Sequence, residues 1–510
     1  MYLKPNKILS SKLSRRRLWV HPPEPPKEFL LSDPTKGVYL SKTKLLNVPF
    51  FWDFRMLTNP HISVVGVTGA GKSYMVKTFL TRANLTWGTN ALIIDWVGEY
   101  NSWVEQTGGE VLRFGQGSYL NLLDLAGMKP IQRIKQIVSA LDILTDIGKY
   151  SIQKRFLEQA LTEAYKKKKF ILTKFENKNP PVLEDVIKEL EKIKKTQKTE
   201  KKKDEVQECI HRLKPYVMKG NDYFAHQSTV NLDTIIKKGL VNIDLHELPS
   251  EEMRSLAGLT ILQMLKEKMR FEGWSPDKGL KLFIVADEAW KIAKDDRSDL
   301  ITIVREGRKY QFGLIVASQN PTDIHKDIFS NVGTLFIMRL MFKDFKDHVR
   351  SSLNYSDFVA SQIDKLGVGE AVVYLGYAQK TDFSNIILLD KIDGEEPLSY
   401  YKLKGDGMEI NFEKEKFKRQ LKEFGLNTKQ VQDVCSTFEE HDNTIHIIQL
   451  INKLERYGFG PSTIITFMRE MGLKEGELIP LFSKLQREKM GIDGDKLVRL
   501  VVEDEEIKEN

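Results

Sequence analysis

Gly66-Val67-Thr68-Gly69-Ala70-Gly71-Lys72-Ser73 is the stretch of this 510-residue sequence that decides its fold. The residues before it, Ile62–Val65, form a short apolar run typical of a buried strand, and Tyr74–Arg82 after it have helical spacing with no helix-breaking residue. A glycine-rich loop between a strand and a helix is the context that separates a phosphate-binding loop from a chance match. The sequence therefore predicts a protein that binds a nucleoside triphosphate.

Each residue type in this loop suits phosphate binding. Glycines allow consecutive backbone N–H groups to point into one concavity, and the N-terminus of the following helix favours anions. Lys72 can reach the β- and γ-phosphates, and the Ser73 hydroxyl can ligate Mg²⁺. We expect ATP and Mg²⁺ as cofactors and the following nucleotide-binding residues: Thr68, Gly69, Ala70, Gly71, Lys72, Ser73 and Tyr74.

A second motif supplies the acids that nucleotide hydrolysis needs. The apolar run Leu282–Ala286 predicts a buried strand, and Asp287 and Glu288 follow it directly. Open α/β sheets bind their ligands at the carboxyl ends of the strands. Asp287 is the predicted metal ligand beside Ser73, and Glu288 is the predicted group that polarises the attacking water. The alternative is two solvated acids at a strand end.

Four further residues are catalytic candidates. Gln319 ends another apolar strand and could lie beside the γ-phosphate as a sensor of hydrolysis; a polar strand end without a function is the alternative. Arg305 and Arg308 are three residues apart, which predicts that they share one helix face, and one could act as an arginine finger across a subunit boundary. Arg339 competes for this role. For each arginine, a surface salt bridge is the alternative.

Composition limits the class of protein. Hydrophobic residues make up 41% and charged residues 29%, as in ordinary globular proteins, and the net charge is +8. This charge fits a polyanionic partner or a solvated surface rich in Lys and Glu. Two cysteines, Cys209 and Cys435, suggest neither a disulfide framework nor a zinc site. Without an apolar run of about 18 residues or a secretory signal, we expect a cytoplasmic protein, associated with the inner face of the membrane only through a partner.

Periodicity divides the chain into three parts. Residues 1–45 hold the basic run Arg15–Arg17 and the proline-rich run His21–Pro26, which predict an extended arm that either reaches a neighbouring subunit or hangs free. Residues 46–400 alternate strands with helices and predict an α/β domain, interrupted by a helical insertion at about 130–235.

The strands of this domain should form a sheet of six or more mostly parallel strands. Beyond the helix that follows the phosphate loop, to about Asn84, a helix is predicted at Glu251–Arg270. The predicted strands are apolar runs: Ile62–Val65, Ala91–Ile94, Leu240–Leu245, Leu282–Ala286, Leu314–Ser318, Leu335–Leu340 and Ala371–Leu375.

The insertion is rich in lysine. Ile131–Tyr165 reads as two amphipathic helices, followed by Lys166–Lys169 and later by the lysine-dense stretch Lys192–Lys203. A charged, exposed helical hairpin explains this composition, and a surface that faces DNA is the alternative.

Residues 401–510 predict a small α-helical C-terminal domain. Helices are expected at Thr444–Tyr457, Ser462–Met471 and Glu475–Glu488, and a strand at Lys496–Val502. Three helices and a strand at this spacing fit a winged-helix module, and a generic helical cap is the alternative.

Six motifs in order resemble the HerA/FtsK superfamily of DNA-pumping ATPases. They are GVTGAGKS, IIDWVGEY, YLNLLDL, IVADEAW, REGRKYQFGLIVASQ and LGVGEAVVY, spread over about residues 45–395. Within the superfamily, NVPFFWDFRMLTNPHISVVGVTGAGKS and the DEAW form resemble the branch that powers type IV secretion and conjugation. The resemblance implies a RecA-like P-loop NTPase core over 46–400, a homo-hexameric ring, ATP hydrolysis at subunit boundaries and DNA in the pore. It also implies that Gln319 is the sensor and that the Arg305/Arg308 helix carries the trans arginine.

The function expected from the residues and the resemblance together is an ATP-driven DNA translocase. It would move double- or single-stranded DNA for import, export or exchange between cells, with a membrane channel protein as a further partner. The alternatives are the same motor in DNA end processing or viral genome packaging, a nucleotide-switched DNA-binding protein, and a protein remodeller. A translocase predicts basic residues on loops that face the pore, with Lys291, Lys294 and Lys343 as candidates.

Overall fold

A computed structural model describes most of the chain. It covers residues 25, 29–30 and 37–392, except 46, 108, 115–116, 146–149, 231, 233–238, 273–278, 289–298, 354–356 and 381–382. In the C-terminal part it covers 407–410, 414–436 without 424, 444–446, scattered positions between 453 and 467, and 499–502.

The strands of the described residues are numbered in chain order. They are β1 (Val38–Lys42), β2 (Pro49–Trp52), β3 (Ile62–Val65), β4 (Asn90–Asp95), β5 (Glu110–Arg113), β6 (Leu240–Asp244), β7 (Leu282–Ala286), β8 (Phe312–Ser318), β9 (Thr334–Ile337), β10 (Ala371–Leu375), β11 (Ile386–Leu389), β12 (Gly407–Ile410), β13 (Thr444–His446) and β14 (Arg499–Val502).

The α-helices are numbered in the same way. They are α1 (Lys72–Trp87), α2 (Asn101–Gln106), α3 (Pro130–Thr145), α4 (Ser151–Lys167), α5 (Leu183–Thr196), α6 (Glu200–Leu213), α7 (Glu251–Glu272), α8 (Asp299–Glu306), α9 (Lys326–Phe329), α10 (Lys343–Leu353), α11 (Asp357–Ile363), α12 (Lys414–Glu423) and α13 (Thr428–Ser436).

A nine-stranded sheet forms the centre of the fold, in the order β11-β10-β9-β3-β8-β7-β4-β6-β5. The seven neighbouring strands from β9 to β5 are parallel, and β10 runs antiparallel to both of its neighbours. Every residue of β3, β7 and β8 is buried, as expected for a parallel sheet covered on both faces. The predicted mostly parallel sheet is confirmed, and the carboxyl ends of its parallel strands meet at one edge.

Every predicted strand of the sheet is observed, and most of the bounds agree within two residues. β9 ends at Ile337, although the apolar run continues to Leu340. The helix after the phosphate loop continues past Asn84 to Trp87, and Gly88 ends it with a positive φ of 66°. The hairpin strands β1 and β2 and the strands β5 and β11 were not predicted.

The hairpin of β1 and β2 changes the predicted start of the core. Arg82 of α1, a buried cation, donates to the carbonyls of Tyr39 at 2.9 Å and Leu40 at 3.3 Å. Trp52 donates from Nε1 to Thr334 Oγ1 at 2.8 Å, which ties the hairpin to β9. The ordered core therefore begins ahead of residue 46, within the stretch predicted as an extended arm. Residues 15–17 lie outside the described part, and the role of the arm stays a prediction.

The helical insertion contains the two predicted helices over Ile131–Tyr165, observed as α3 and α4. The YLNLLDL motif anchors them. The buried Arg133 donates from Nη2 to the Leu122 carbonyl at 2.7 Å, and the Tyr165 hydroxyl donates to the Leu123 carbonyl. Asn121 donates to the Pro181 carbonyl at 3.0 Å. This motif therefore fixes the insertion on the core.

The C-terminal part differs from the prediction at one of its helices. Thr444–His446, predicted as the start of a helix, is strand β13, which pairs with β14 of the predicted strand Lys496–Val502. β14 also pairs in parallel with β12. The β-branched Thr444 and Ile445 favour a strand, but their partner lies more than fifty residues away, where local periodicity cannot reveal it. The predicted helix Glu475–Glu488 lies outside the described residues, and the winged-helix module stays a prediction.

Among the described residues, none of the helices combines the length and the apolar character that crossing a lipid bilayer requires.

Candidate nucleotide-binding site

The phosphate loop connects β3 to α1 through two glycines with left-handed backbones. Gly69 has a φ of 74° and Gly71 a φ of 100°. A Cβ on Gly71 would also lie 3.2 Å from the backbone nitrogen of Gly369. The N–H of Gly369 in turn donates to the carbonyl of Ala70 at 3.0 Å. The LGVGEAVVY motif therefore packs against the phosphate loop and stabilises its conformation.

Lys72 lies within the curve of this loop. Its buried Nζ donates to the carbonyl of Gly66 at 2.9 Å and to that of Val67 at 3.3 Å. Burial lowers the pKa of this ammonium, and the nearby carboxylates of Asp287, Glu288 and Glu99 act in the opposite direction. The carbonyls of the loop hold this ammonium group in place, so it can exchange those contacts for phosphate oxygens when a nucleotide binds.

Ser73 lies between two carboxylates. Its Oγ donates to Glu99 Oε2 at 2.7 Å and lies 3.5 Å from Asp287 Oδ2. A hydroxyl and carboxylate oxygens are the hard ligands that Mg²⁺ prefers. These side chains therefore fit the predicted metal position, with Ser73 and Asp287 as ligands.

Asp287 is buried and doubly hydrogen-bonded. Its Oδ2 accepts from the Tyr100 hydroxyl at 2.8 Å, and its Oδ1 accepts from the N–H of Glu288 at 2.9 Å. Burial raises its pKa to about 6, against the effect of these two hydrogen bonds. Burial makes the ionised form of this carboxylate unfavourable, and a bound cation would stabilise that form.

Glu288 and Gln319 are in direct contact. Gln319 donates from Nε2 to Glu288 Oε1 at 2.6 Å, and its Oε1 accepts from Thr68 Oγ1 at 2.7 Å. Glu288 has a φ of 51°, a left-handed backbone that costs roughly 1–3 kcal/mol for such a residue. The three side chains therefore form a chain from the phosphate loop to the predicted catalytic carboxylate.

The turn after β4 supplies site residues that sequence reasoning did not select. Asp95 accepts from the N–H groups of Val97, Gly98 and Tyr100 at 2.8–3.0 Å, which shapes the turn. That turn places Glu99 against Ser73 and Tyr100 against Asp287. In the sequence, IIDWVGEY is recognisable only through the family resemblance. Its signal is weaker than that of IVADEAW, because Asp95 and Glu99 are four residues apart whereas Asp287 and Glu288 are adjacent.

These side chains surround one cleft of about 250 Å³ at the carboxyl edge of the sheet. It is lined by Thr68, Gly69, Gly71, Lys72, Ser73, Tyr74, Asp95, Trp96, Val97, Glu99, Asp287, Glu288 and Gln319. Of the predicted nucleotide-binding residues, Ala70 alone does not line the cleft, because its side chain is buried beneath the loop.

The three candidate arginines do not line this cleft. Arg305 donates to Asp327 Oδ2 at 2.7 Å, and Arg308 donates to the carbonyl of Thr58. Arg305 belongs to α8, whereas Arg308 belongs to the 3-10 turn Gly307–Tyr310 that follows it, so the two arginines do not share one α-helix. A Cβ at Gly307, where the turn begins, would lie 2.9 Å from the carbonyl oxygen of Phe312, so this position favours glycine.

Arg339 lies closer to the phosphate loop than the other two. Its carbonyl accepts from the N–H of Val67 at 3.0 Å. Of the candidate basic residues for a pore, Lys343 begins α10 and is exposed, whereas Lys291 and Lys294 lie outside the described residues.

A parallel sheet with a phosphate loop after a central strand and paired acids after β7 defines a P-loop NTPase with a RecA-like core. Residues 39–265 match the family model described as the central domain of the helicase HerA. The chain therefore contains a HerA-like domain, and the resemblance to HerA/FtsK-type ATPases is confirmed.

The chain is also similar in sequence to DNA-handling proteins of archaea. The chain is 25% identical over 355 residues to the DNA import protein CedB of Sulfolobus acidocaldarius, covering 66% of this chain and 54% of that protein. It is 25% identical over 351 residues to the DNA double-strand break repair helicase HerA of Sulfurisphaera tokodaii, covering 66% of each chain. The chain thus spans between half and two thirds of the length of these relatives.

Among solved structures, VirB4 of Thermoanaerobacter pseudethanolicus shares the fold. The TM-score is 0.58 at 19% identity, over 71% of this chain and 97% of VirB4.

Proposed function

We propose that this chain is an ATP-driven motor that translocates DNA. One observation carries the proposal: Lys72, Ser73, Asp287, Glu288 and Gln319 come from three strand ends and converge on one cleft. A phosphate loop alone would explain nucleotide binding. The added carboxylate and its glutamine partner are what hydrolysis requires.

The residues of the cleft divide the work of hydrolysis. Lys72 and the backbone of the loop bind the phosphates, and Ser73 and Asp287 hold Mg²⁺. When bound, Mg²⁺ neutralises charge on the β- and γ-phosphate oxygens. Glu288 accepts a hydrogen bond from the attacking water and polarises it, and its contact with Gln319 fixes the orientation of the carboxylate.

Gln319 connects hydrolysis to a distant segment. It follows β8, and the other end of β8 follows the turn that holds Arg308. Loss of the γ-phosphate would change the contacts of Gln319, and the rigid strand would carry the change toward Arg305 and Arg308. This geometry supports a ring in which an arginine of one subunit acts on the nucleotide of the next.

The arginine finger is assigned by mixing experiments. Each of Arg305→Ala, Arg308→Ala and Arg339→Ala is mixed with a chain that carries Glu288→Gln. If the arginine acts in trans, some boundaries of a mixed particle combine the intact arginine of one chain with the intact Glu288 of the other. Turnover is restored at those boundaries. A variant that gains no activity from mixing is not a trans finger.

DNA as the moved polymer is supported by the names of the relatives, one a DNA import protein and one a DNA break repair helicase. The net charge of +8 agrees with a polyanion. We propose a homo-hexamer that acts from the cytoplasm on DNA import, export or exchange, docked through protein contacts to a membrane channel protein. The relatives named as DNA double-strand break repair helicases favour one alternative, the same motor in DNA end processing.

ATP turnover tests the motor. It is measured without polymer, with duplex DNA, with single-stranded DNA and with denatured protein, together with the particle mass. Stimulation by DNA in a particle of six chains supports the translocase. Stimulation by denatured protein alone contradicts it, as does DNA binding without any effect on turnover.

A further inference from the structure

The segment Lys166–Lys178, called the basic loop below, joins α4 to α5 in the helical insertion. Its sequence, KKKKFILTKFENK, has six lysines against one glutamate, a formal charge of +5 in thirteen residues. The wider stretch from 166 to 203 has fourteen lysines against six acids, a formal charge of +8. Because the whole chain carries +8, the remaining residues are neutral overall. The excess of positive over negative charge in this protein therefore lies between residues 166 and 203.

The lysines of the loop remain available to a polyanion. All six are exposed. Lys167 pairs with the largely buried Glu189, whereas Lys166, Lys168 and Lys178 pair with partly exposed acids, Lys166 with Glu163 at 2.8 Å. Exposed pairs of this kind contribute at most about 1 kcal/mol each and exchange readily for other anions. Lys169 and Lys174 form no ion pair with any carboxylate in the described part of the chain.

Two apolar side chains point outward from the same loop. Phe175 is 47% exposed and Ile171 is 49% exposed, whereas Phe170 and Leu172 on either side of Ile171 pack inward. Contact with water alone gives no reason for exposed apolar side chains to lie among lysines. Lysines beside an exposed aromatic ring are the combination with which proteins bind single-stranded nucleic acid, the cations on phosphates and the ring stacked on a base.

The loop is fixed in shape by its backbone. Lys169 has a φ of 62°, and the N–H of Phe170 donates to the Tyr165 carbonyl at 3.1 Å, which closes the end of α4. The carbonyl of Leu172 accepts from the N–H of Ile131 at 3.1 Å, which joins the loop to α3. A loop already ordered loses little entropy when it binds a ligand.

We propose that the basic loop is a docking site for single-stranded DNA, with Lys169 and Lys174 on phosphates and Phe175 stacked on a base. The proposal rests on the proposed function because it takes DNA as the partner, and it deepens that function by adding a contact outside the cleft. None of the loop residues lines the nucleotide cleft. Single strands are favoured over duplex because their base faces are open to the ring.

The test uses the full chain and fluorescence anisotropy with two labelled oligomers of equal length, one of thymidines and one entirely abasic. Phe175→Ala should weaken binding of the thymidine oligomer about tenfold and leave the abasic oligomer unaffected, because stacking needs a base. The double variant Lys169→Ala/Lys174→Ala should weaken both oligomers and lower the salt slope of log K by about 1.4, since each phosphate contact contributes about 0.7.

A charge-matched control removes two other exposed lysines, Lys198→Ala/Lys201→Ala. They lie beyond the C-terminal end of α5, about 10 Å along its axis from Glu189, the residue of α5 that Lys167 of the basic loop contacts. This control should change affinity less than the loop variants. ATP turnover without DNA should be the same in every variant.

Several results would overturn the docking site. In the first, the parent chain does not bind the thymidine oligomer. In the second, the Phe175→Ala variant binds it as tightly as the parent, or loses affinity for both oligomers equally. In the third, the control variant loses as much affinity as the loop variants. Loss of binding to vesicles with acidic phospholipid, with no loss for DNA, would make the loop a membrane contact. Binding to the loop without any stimulation of turnover by DNA contradicts the motor instead.

Discussion

The hydroxyl of Tyr100 donates a hydrogen bond of 2.8 Å to the carboxylate of Asp287, and both side chains are buried. The two residues belong to different motifs, IIDWVGEY and IVADEAW, and they meet because β4 and β7 are neighbours in the sheet. The contact fixes one oxygen of the predicted metal ligand. Residues that orient a metal ligand in this way typically affect metal affinity by 10- to 100-fold.

Tyr100→Phe should therefore raise the Mg²⁺ concentration needed for half-maximal ATP turnover by roughly tenfold, because it removes the hydrogen bond and keeps the ring. A magnesium titration of turnover and of nucleotide binding measures the effect. The control is Tyr377→Phe, since the buried hydroxyl of that half-buried tyrosine has no partner among the described residues. Equal magnesium requirements in both variants would contradict the role of Tyr100.

Glu99→Gln should weaken the dependence of nucleotide binding on magnesium. The amide keeps an oxygen that can accept from Ser73 Oγ, now 2.7 Å from the carboxylate, but it removes a negative charge beside the metal position. We expect a roughly tenfold loss of Mg²⁺ affinity and little change in nucleotide affinity without Mg²⁺. Isothermal titration with and without the metal separates the two, with the exposed Glu191→Gln as a control. A loss of affinity that is the same without Mg²⁺ would place Glu99 at the nucleotide instead.

Glu288→Gln should retain ATP and trap an assembled particle. The amide keeps the shape of the side chain but cannot polarise water, so turnover should fall by roughly 10²- to 10⁴-fold. Lys72→Ala should instead weaken phosphate binding itself, because it removes the cation in the loop. Turnover, nucleotide retention after gel filtration and particle mass distinguish the two variants. Turnover at the parental rate in Glu288→Gln would show that another group is the base.

The sequence was sufficient for the centre of the sheet because parallel strands buried on both faces are almost continuously apolar. Ile62–Val65 and Leu282–Ala286 could be recognised for this reason, and the chemistry follows at their carboxyl ends. The hairpin of β1 and β2 could not be predicted, since its burial depends on contacts with Arg82 and Thr334, distant in sequence. Local patterns carry no information about such partners.

The site was predicted in its main parts and missed in one. Lys72, Asp287 and Glu288 each follow an apolar strand in a recognisable motif. The contact between Ser73 and Glu99 depends on a turn whose shape is set by three hydrogen bonds to Asp95, and no spacing rule reveals it. The arginines were predicted on one helix, whereas α8 ends at Glu306 and a 3-10 turn begins at Gly307, a change that the three-residue spacing does not reveal.

The raised pKa of Asp287, about 6, makes a prediction about stability. In the folded state the carboxyl group of Asp287 holds its proton more tightly than in the unfolded state, where an aspartate titrates near pH 4. Between about pH 4 and pH 6 the folded state therefore binds more protons, and its stability falls as the pH rises through this window. At pH 7.5 the buried carboxylate should lower the free energy of unfolding by up to about 3 kcal/mol.

Asp287→Asn removes this charge and keeps the size of the side chain. Without Mg²⁺ and nucleotide, the variant should unfold at a higher temperature than the parent at pH 7.5, and the difference should vanish near pH 4. Added Mg²⁺ and ATP should stabilise the parent and not the variant, since they act through the ionised carboxylate. Thermal unfolding at the two pH values, with and without these ligands, measures all three effects. A variant that is less stable than the parent at pH 7.5 without ligands would mean that Asp287 stabilises the fold, and the interpretation of this residue as a metal ligand that burial destabilises would be wrong.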